Sequence, residues 1–134
     1  MAEHSRDLLR LPLKTNRDVV AARQAVAKEL KARGLSAVRV TRFATAVSEI
    51  ARNTIVHGGG GSFAVFLDRA SGYLVVECRD TGAGIDDIDR ALTDGFSTAG
   101  SMGRGLGGAK RLADRFEIET ETGNGTCVRL GARL

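Results

Sequence analysis

Several common chemical signatures are missing from this sequence. A G-x-x-x-x-G-K-[ST] phosphate loop does not occur, because Lys110, the lysine beside the second glycine cluster, is followed by Arg111. That excludes a Walker-type nucleotide site. There is no G-x-S-x-G elbow either, so His57 and the four glycines Gly58 to Gly61, which resemble an oxyanion loop, have no nucleophile to serve. The two cysteines, Cys78 and Cys127, fall in strand-like runs with no CxxC and no histidine-rich neighbourhood. Metal ligation and redox catalysis therefore lack support, and both read as small core residues. A disulfide is conceivable only if their strands are neighbours, and a reducing compartment argues against it. No stretch approaches the roughly 20 apolar residues of a membrane span. The N-terminal residues 1–7 have no apolar signal core. The expectation is a cytoplasmic protein with no membrane partner.

The 134 residues suit a single domain spanning 1–134, long enough to bury roughly two thirds of its unfolded surface. Net charge is +4, which invites a nucleic-acid reading. The charge is unevenly spread, however. Residues 1–42 carry ten Lys and Arg against four acids, giving +6, and residues 43–134 carry ten against twelve, giving −2. Arg17, Arg23, Lys28, Lys31 and Arg33 lie among alanines with no aromatic side chain to stack a base. A solvated helix face is the plainer reading, and a docking surface for an acidic protein or nucleic acid is the alternative, nucleic acid being the less favoured of the two.

Periodicity supplies the elements. Leu8 to Leu13 reads as a short strand that Pro12 confines to an edge or an end. A helix starts near Thr15 and Asn16, keeps Val19, Ala22, Val26 and Leu30 on one stripe, and stops at Gly34. Ser36 caps a second helix, whose stripe of Val40, Phe43, Ala44, Val47, Ile50, Ala51 and Ile55 runs to the glycines after His57. Glu49, Asn53 and His57 follow one another at i, i+4, i+8 and so line one side of that helix.

Strands are expected at Phe63 to Leu67 and Tyr73 to Cys78, joined by a hairpin turn over 68–72. A short helix is expected at Ile85 to Leu92, then a glycine-rich lid from Gly95 to Gly108, then a helix from Ala109 to Arg115. Strands at Phe116 to Thr120 and Thr126 to Leu130 flank a second hairpin turn. This order implies an α+β two-layer sandwich, a mixed, largely antiparallel sheet with helices on one face.

Two glycine clusters carry the chemistry. Asp80-Thr81-Gly82-Ala83-Gly84 ends a strand, and Gly103-Arg104-Gly105-Leu106-Gly107-Gly108 opens a helix, so both allow backbone to approach a phosphorylated ligand. The second formally matches the dinucleotide fingerprint, but that loop follows the first strand directly, and residues 96–102 intervene here. With Glu49 to Asn53 on the preceding helix and Gly125-Thr126 in the last hairpin, the four motifs resemble, in order and interval, those of the GHKL ATPases. Within them the chain is similar to the RsbT family of serine/threonine kinases of stressosome and partner-switching systems, on the wording Ser48-Glu-Ile-Ala-Arg-Asn53 and Asp94-Gly-Phe-Ser-Thr-Ala-Gly100.

The resemblance implies roles. Asp80 would accept from the adenine N6 amino group, Gly82 and Gly84 would bring backbone close to the base, and Thr126 would add a hydroxyl. Asn53 would hold Mg²⁺ by its side-chain oxygen, and Glu49 would be the general base. Gly103, Arg104, Gly105, Leu106 and Gly107 would form the phosphate-binding stretch. Roles for His57, for Arg104 as a neutralising cation and for Lys110 stay open. The implied activity is transfer of phosphate from Mg-ATP to a serine or threonine of a STAS-domain antagonist, with a phosphatase or cyclase as downstream regulator. An RsbW-like anti-sigma factor kinase holding a sigma factor, and a non-catalytic nucleotide-gated binding module, are the alternatives.

Overall fold

A computed structural model describes residues 5–82, 102–121 and 123–134, without the side chains of residues 5 and 102–105. The first strand, β1 (Ser5–Leu13), leads into helices α1 (Asn16–Ala32) and α2 (Ala37–Val56). A hairpin follows, β2 (Gly61–Asp68) and β3 (Tyr73–Asp80). Helix α3 (Met102–Leu112) precedes the closing hairpin, β4 (Arg115–Glu121) and β5 (Gly125–Arg133).

Local chemistry starts and stops α1 and α2 where the sequence places them. The Asp18 carboxylate accepts from the N–H groups of Lys14 and Thr15, at 2.8 and 3.1 Å, satisfying donors at the mouth of α1. These backbone donors hold its carboxyl below the usual aspartate range. Gly34, at φ +84°, ends the helix in a conformation that costs glycine least. Ser36 Oγ accepts from Arg39 N–H at the start of α2.

The five strands lie in the order β1-β2-β3-β5-β4, and every pairing is antiparallel, so the expected mixed component is missing among the described strands. Pro12 does sit on an edge strand, where its missing N–H breaks no inner ladder. Register puts Phe63, Cys78 and Val128 in one row and Val65, Val76 and Leu130 in the next. Because strand side chains alternate, these rows share a face, and that face buries the α1 stripe and Phe43, Val47 and Ile50 of α2. Cys78 and Cys127 are on neighbouring strands, but one faces this core and the other the opposite side; both are free thiols. Burial pushes the Cys78 thiol far up.

The third helix differs from expectation. It runs from Met102 to Leu112, not from Ala109 to Arg115, so Gly103, Gly105, Gly107 and Gly108 lie inside it. Each glycine disfavours helix by about 1 kcal/mol, which is why propensity places the start after them. Packing decides otherwise: Leu106 and Ala109 are buried against the core with Leu112 partly so. The helix ends early because Asp114 N–H donates to Gly131 and Arg115 pairs with Gly131 in the sheet. The expected helix at 85–92, Gly84, and the lid from Gly95 through residue 101 lie outside the described residues. Among the described residues no helix is long and apolar enough to cross a membrane. Arg17, Arg23, Lys28, Lys31 and Arg33 are all exposed, with Arg33 paired to Glu29 at 3.3 Å.

Candidate functional site

Asp80 is the last residue of the inner strand β3, where its side chain emerges on the helix-covered face of the sheet. Its Oδ1 accepts from two backbone donors, Gly82 N–H at 2.8 Å and Thr126 N–H at 3.2 Å. One oxygen is thereby anchored from both sides. The carboxylate cannot rotate without breaking both bonds, so Oδ2 is held at a set angle.

Glycines make room for this carboxylate. A Cβ on Gly58 would lie 2.3 Å from Asp80 Cγ and 2.4 Å from Oδ2. A Cβ on Gly82 would press on Gly58 at 3.0 Å. Gly125, at φ +95°, would place a Cβ 2.2 Å from the Asp80 carbonyl oxygen. Three chain segments thus converge on one aspartate at distances that only glycine permits.

Asp80, Asn53, Thr54, His57 and Thr126 line a cavity with the apolar groups of Ile50, Cys78, Leu106 and Val128. Asn53 is 8% exposed, and among the described residues its Nδ2 has no hydrogen-bond partner; neither has the buried Nε2 of His57. Orphaned buried polar atoms are costly, roughly 1–3 kcal/mol each, and both residues belong to the cavity wall. Amide nitrogen and oxygen exchange places on a half-turn, so Asn53 can present either a donor or an acceptor there. A fixed carboxylate beside an apolar floor fits the polar rim and flat faces of a purine. The cavity is about 30 Å³, room for a water or two, so it has to widen before a base enters fully.

The expected site residues fall into three groups. Asp80, Asn53, Leu106 and Thr126 meet at the cavity, with Gly82 directly beside Asp80. The Thr126 hydroxyl is shared with Thr120 Oγ1 at 3.0 Å, and Thr120 also donates to the Gly125 carbonyl. Glu49 stands one helical turn before Asn53 but outside the cavity wall, half-exposed and paired with Arg52 at 3.3 Å. Gly103, Arg104 and Gly105 form the first turn of α3, and Gly107 is buried in its second. Since a helix leaves its first four N–H groups without a helical partner, the donors that α3 itself leaves unpaired are those of residues 102–105. Among the described residues no three His, Cys, Asp or Glu side chains gather as a metal site.

Sequence reasoning passed over Gly58 and Thr54 and left His57 open. The run of glycines after His57 was the available signal for Gly58, but only the fold shows that Asp80 lies against it. Thr54 is buried and donates to Ile50 O at 3.0 Å, an ordinary helix bond with nothing in the sequence to set it apart.

Comparison with known proteins gives the family. Residues 13–131 match the family described as the histidine kinase-like ATPase domain. The chain is similar to the serine/threonine-protein kinase RsbT of Bacillus subtilis, 42% identical over 120 residues that cover 86% of this chain and 88% of that protein. It is also similar to the anti-sigma F factor of Thermoanaerobacter sp., 33% identical over 92 residues, 64% of each chain. The crystal structure of the RsbU and RsbW domains of Rv1364c from Mycobacterium tuberculosis shares the fold, with a TM-score of 0.65 at 22% identity over 94% of this chain and 31% of that one.

Proposed function

Since the chain belongs to the histidine kinase-like ATPase domain family, we propose that it is a serine/threonine protein kinase of the RsbT type that transfers phosphate from Mg-ATP to a partner protein. One observation carries the nucleotide assignment. The anchored Asp80 carboxylate lines a cavity in which the buried amide nitrogen of Asn53 has no partner among the described residues. A fixed carboxylate accepts from the exocyclic amine of adenine and repels the carbonyl of guanine, so ATP is the nucleotide selected.

The residues divide the work along α2. Asp80 and Gly82 bind the base beside the C-terminal end of the helix. Asn53 would hold Mg²⁺ through its side-chain oxygen, a hard cation suited to oxygen ligands and to a site with few protein groups. The metal supplies charge neutralisation on the phosphate oxygens. Glu49, one turn nearer the N-terminus and open to solvent, is placed to take a proton from an incoming serine or threonine hydroxyl. The first turn of α3 orients phosphate through its free N–H groups.

The substrate is a STAS-domain antagonist, and a phosphatase or cyclase is the downstream regulator. The similarity to anti-sigma F factors favours a second reading, in which the same pocket controls capture of a sigma factor. Incubation with γ-labelled ATP and the STAS proteins of the same cell, with Asp80→Asn as the blank, tests the proposal. Label that appears on a STAS protein and vanishes in the blank is the expected result. Tight ATP binding without label, together with capture of a sigma factor, would replace it with the second reading.

A further inference from the structure

Helix α3 is weak at its N-terminal end and fastened at the other. Gly103, Gly105, Gly107 and Gly108 all disfavour helix and all lie in its N-terminal part. Just past its C-terminal end, Asp114 joins three elements. Its N–H donates to Gly131 O at 3.0 Å, and its Oδ2 accepts from Arg133 N–H at 2.8 Å and from the Arg39 guanidinium at 3.2 Å. Arg39, in the first turn of α2, also donates to the Arg133 carbonyl. One carboxylate therefore ties the end of α3 to the start of α2 and the end of β5. Apolar packing does not secure this corner alone, because a cavity of about 30 Å³ stays open between Leu35, Phe43, Leu112 and Ala132, with Arg39 and Asp114 in its wall.

What this tie holds in place lies at the far end of the helix. The 11 residues of α3 form a stiff rod that packs on α2, and Leu106 on it lines the cavity with Asp80 and Asn53. Where the rod is pinned sets where its first turn, with the N–H groups assigned to phosphate, stands relative to the base pocket. Neither Arg39 nor Asp114 lines that pocket. We propose that Asp114, together with Arg39, is a positioning pair for the phosphates of the nucleotide, acting through α3 and not by contact. This rests on the nucleotide assignment above. An ion pair as exposed as Arg39 and Asp114 adds little to overall stability, so its effect is to be sought in phosphate affinity.

Calorimetric titration of adenosine and Mg-ATP into the wild-type chain, Asp114→Ala, Asp114→Asn and Arg39→Ala tests it. Asp114→Ala should weaken Mg-ATP by about tenfold, the contribution of one hydrogen bond to phosphate, and leave adenosine unchanged. Asp114→Asn, whose amide oxygen can still accept from Arg133 N–H, should recover part of the loss. Unchanged Mg-ATP affinity in Asp114→Ala would overturn the proposal, as would an equal loss for adenosine, which makes the tie a matter of general stability. Failure of the wild type to bind Mg-ATP would instead overturn the nucleotide assignment itself. Should Asp114→Ala fold poorly, or adenosine bind too weakly to titrate, amide hydrogen exchange in Arg39→Ala decides: the amides of α3 should exchange faster than in the wild type while those of α1 hold, and no change, or the same change in both helices, refutes the pairing.

Discussion

Replacing Asp80 by Asn exchanges one heavy atom, a carboxylate oxygen for an amide nitrogen, and leaves the shape intact, which makes it the sharpest probe of the pocket. The amide oxygen can keep both backbone bonds, from Gly82 at 2.8 Å and Thr126 at 3.2 Å, so the fold around it is retained. The price falls on the other position. Where Oδ2 offered an acceptor, the variant offers an N–H donor, which faces the donor amine of adenine. A hydrogen bond to a charged group contributes about 1.5–3 kcal/mol, so ATP affinity should fall by about 10- to 150-fold. If the amide turned over to rescue that bond, it would forfeit the two backbone bonds, at about 1 kcal/mol each, and gain nothing. Relative preference should also move toward a 6-oxo purine such as that of GTP, whose carbonyl accepts from the new amide. Calorimetry with Mg-ATP and Mg-GTP reads both effects, and thermal unfolding checks that the fold is kept. Unchanged ATP affinity in a folded variant would refute the assignment of Asp80.

Glu49→Ala removes a half-exposed carboxylate whose surface pair with Arg52 adds little stability. ATP binding should survive, while phosphate transfer in single-turnover assays falls by about 10²–10⁴-fold, the usual worth of a general base; full transfer would mean that another group takes the proton. Gly125→Ala forces a left-handed backbone on alanine and drives its Cβ into the Asp80 carbonyl, so urea unfolding should show a loss of at least about 1–3 kcal/mol. Wild-type stability would refute the strain. Asp18 is held below its ordinary pKa by the N–H groups of Lys14 and Thr15, so its contribution is complete above pH 4 and drains as pH falls through the lowered folded value. Asp18→Asn should flatten the stability profile below pH 4, and an unchanged acid limb would show that the carboxylate contributes nothing there.

Legibility of the site in the sequence followed the range of the interactions involved. The caps at Thr15 and Ser36, the α1 stripe and the i, i+4 spacing of Glu49 and Asn53 are local, and each was readable. The start of α3 was not, because four glycines oppose the helix locally and the burial of Leu106 and Ala109 overrides them. The relation between the two cysteines also depended on register. Adjacent strands bring Cys78 and Cys127 near, but a one-residue offset in the ladder turns them to opposite faces.

The sequence by itself determined the α+β class, the four ordered motifs and the polar side of α2, since these depend on spacing along one chain. Only the tertiary structure decided what surrounds Asp80. Gly58, Gly82 and Gly125 come from separate segments, and the close approach that excludes any Cβ at these positions arises when the end of α2 and two strand ends are packed together. That the side-chain nitrogens of Asn53 and His57 find no partner among the described residues is likewise a tertiary fact, because burial without a partner is a property of the folded neighbourhood and not of the residue.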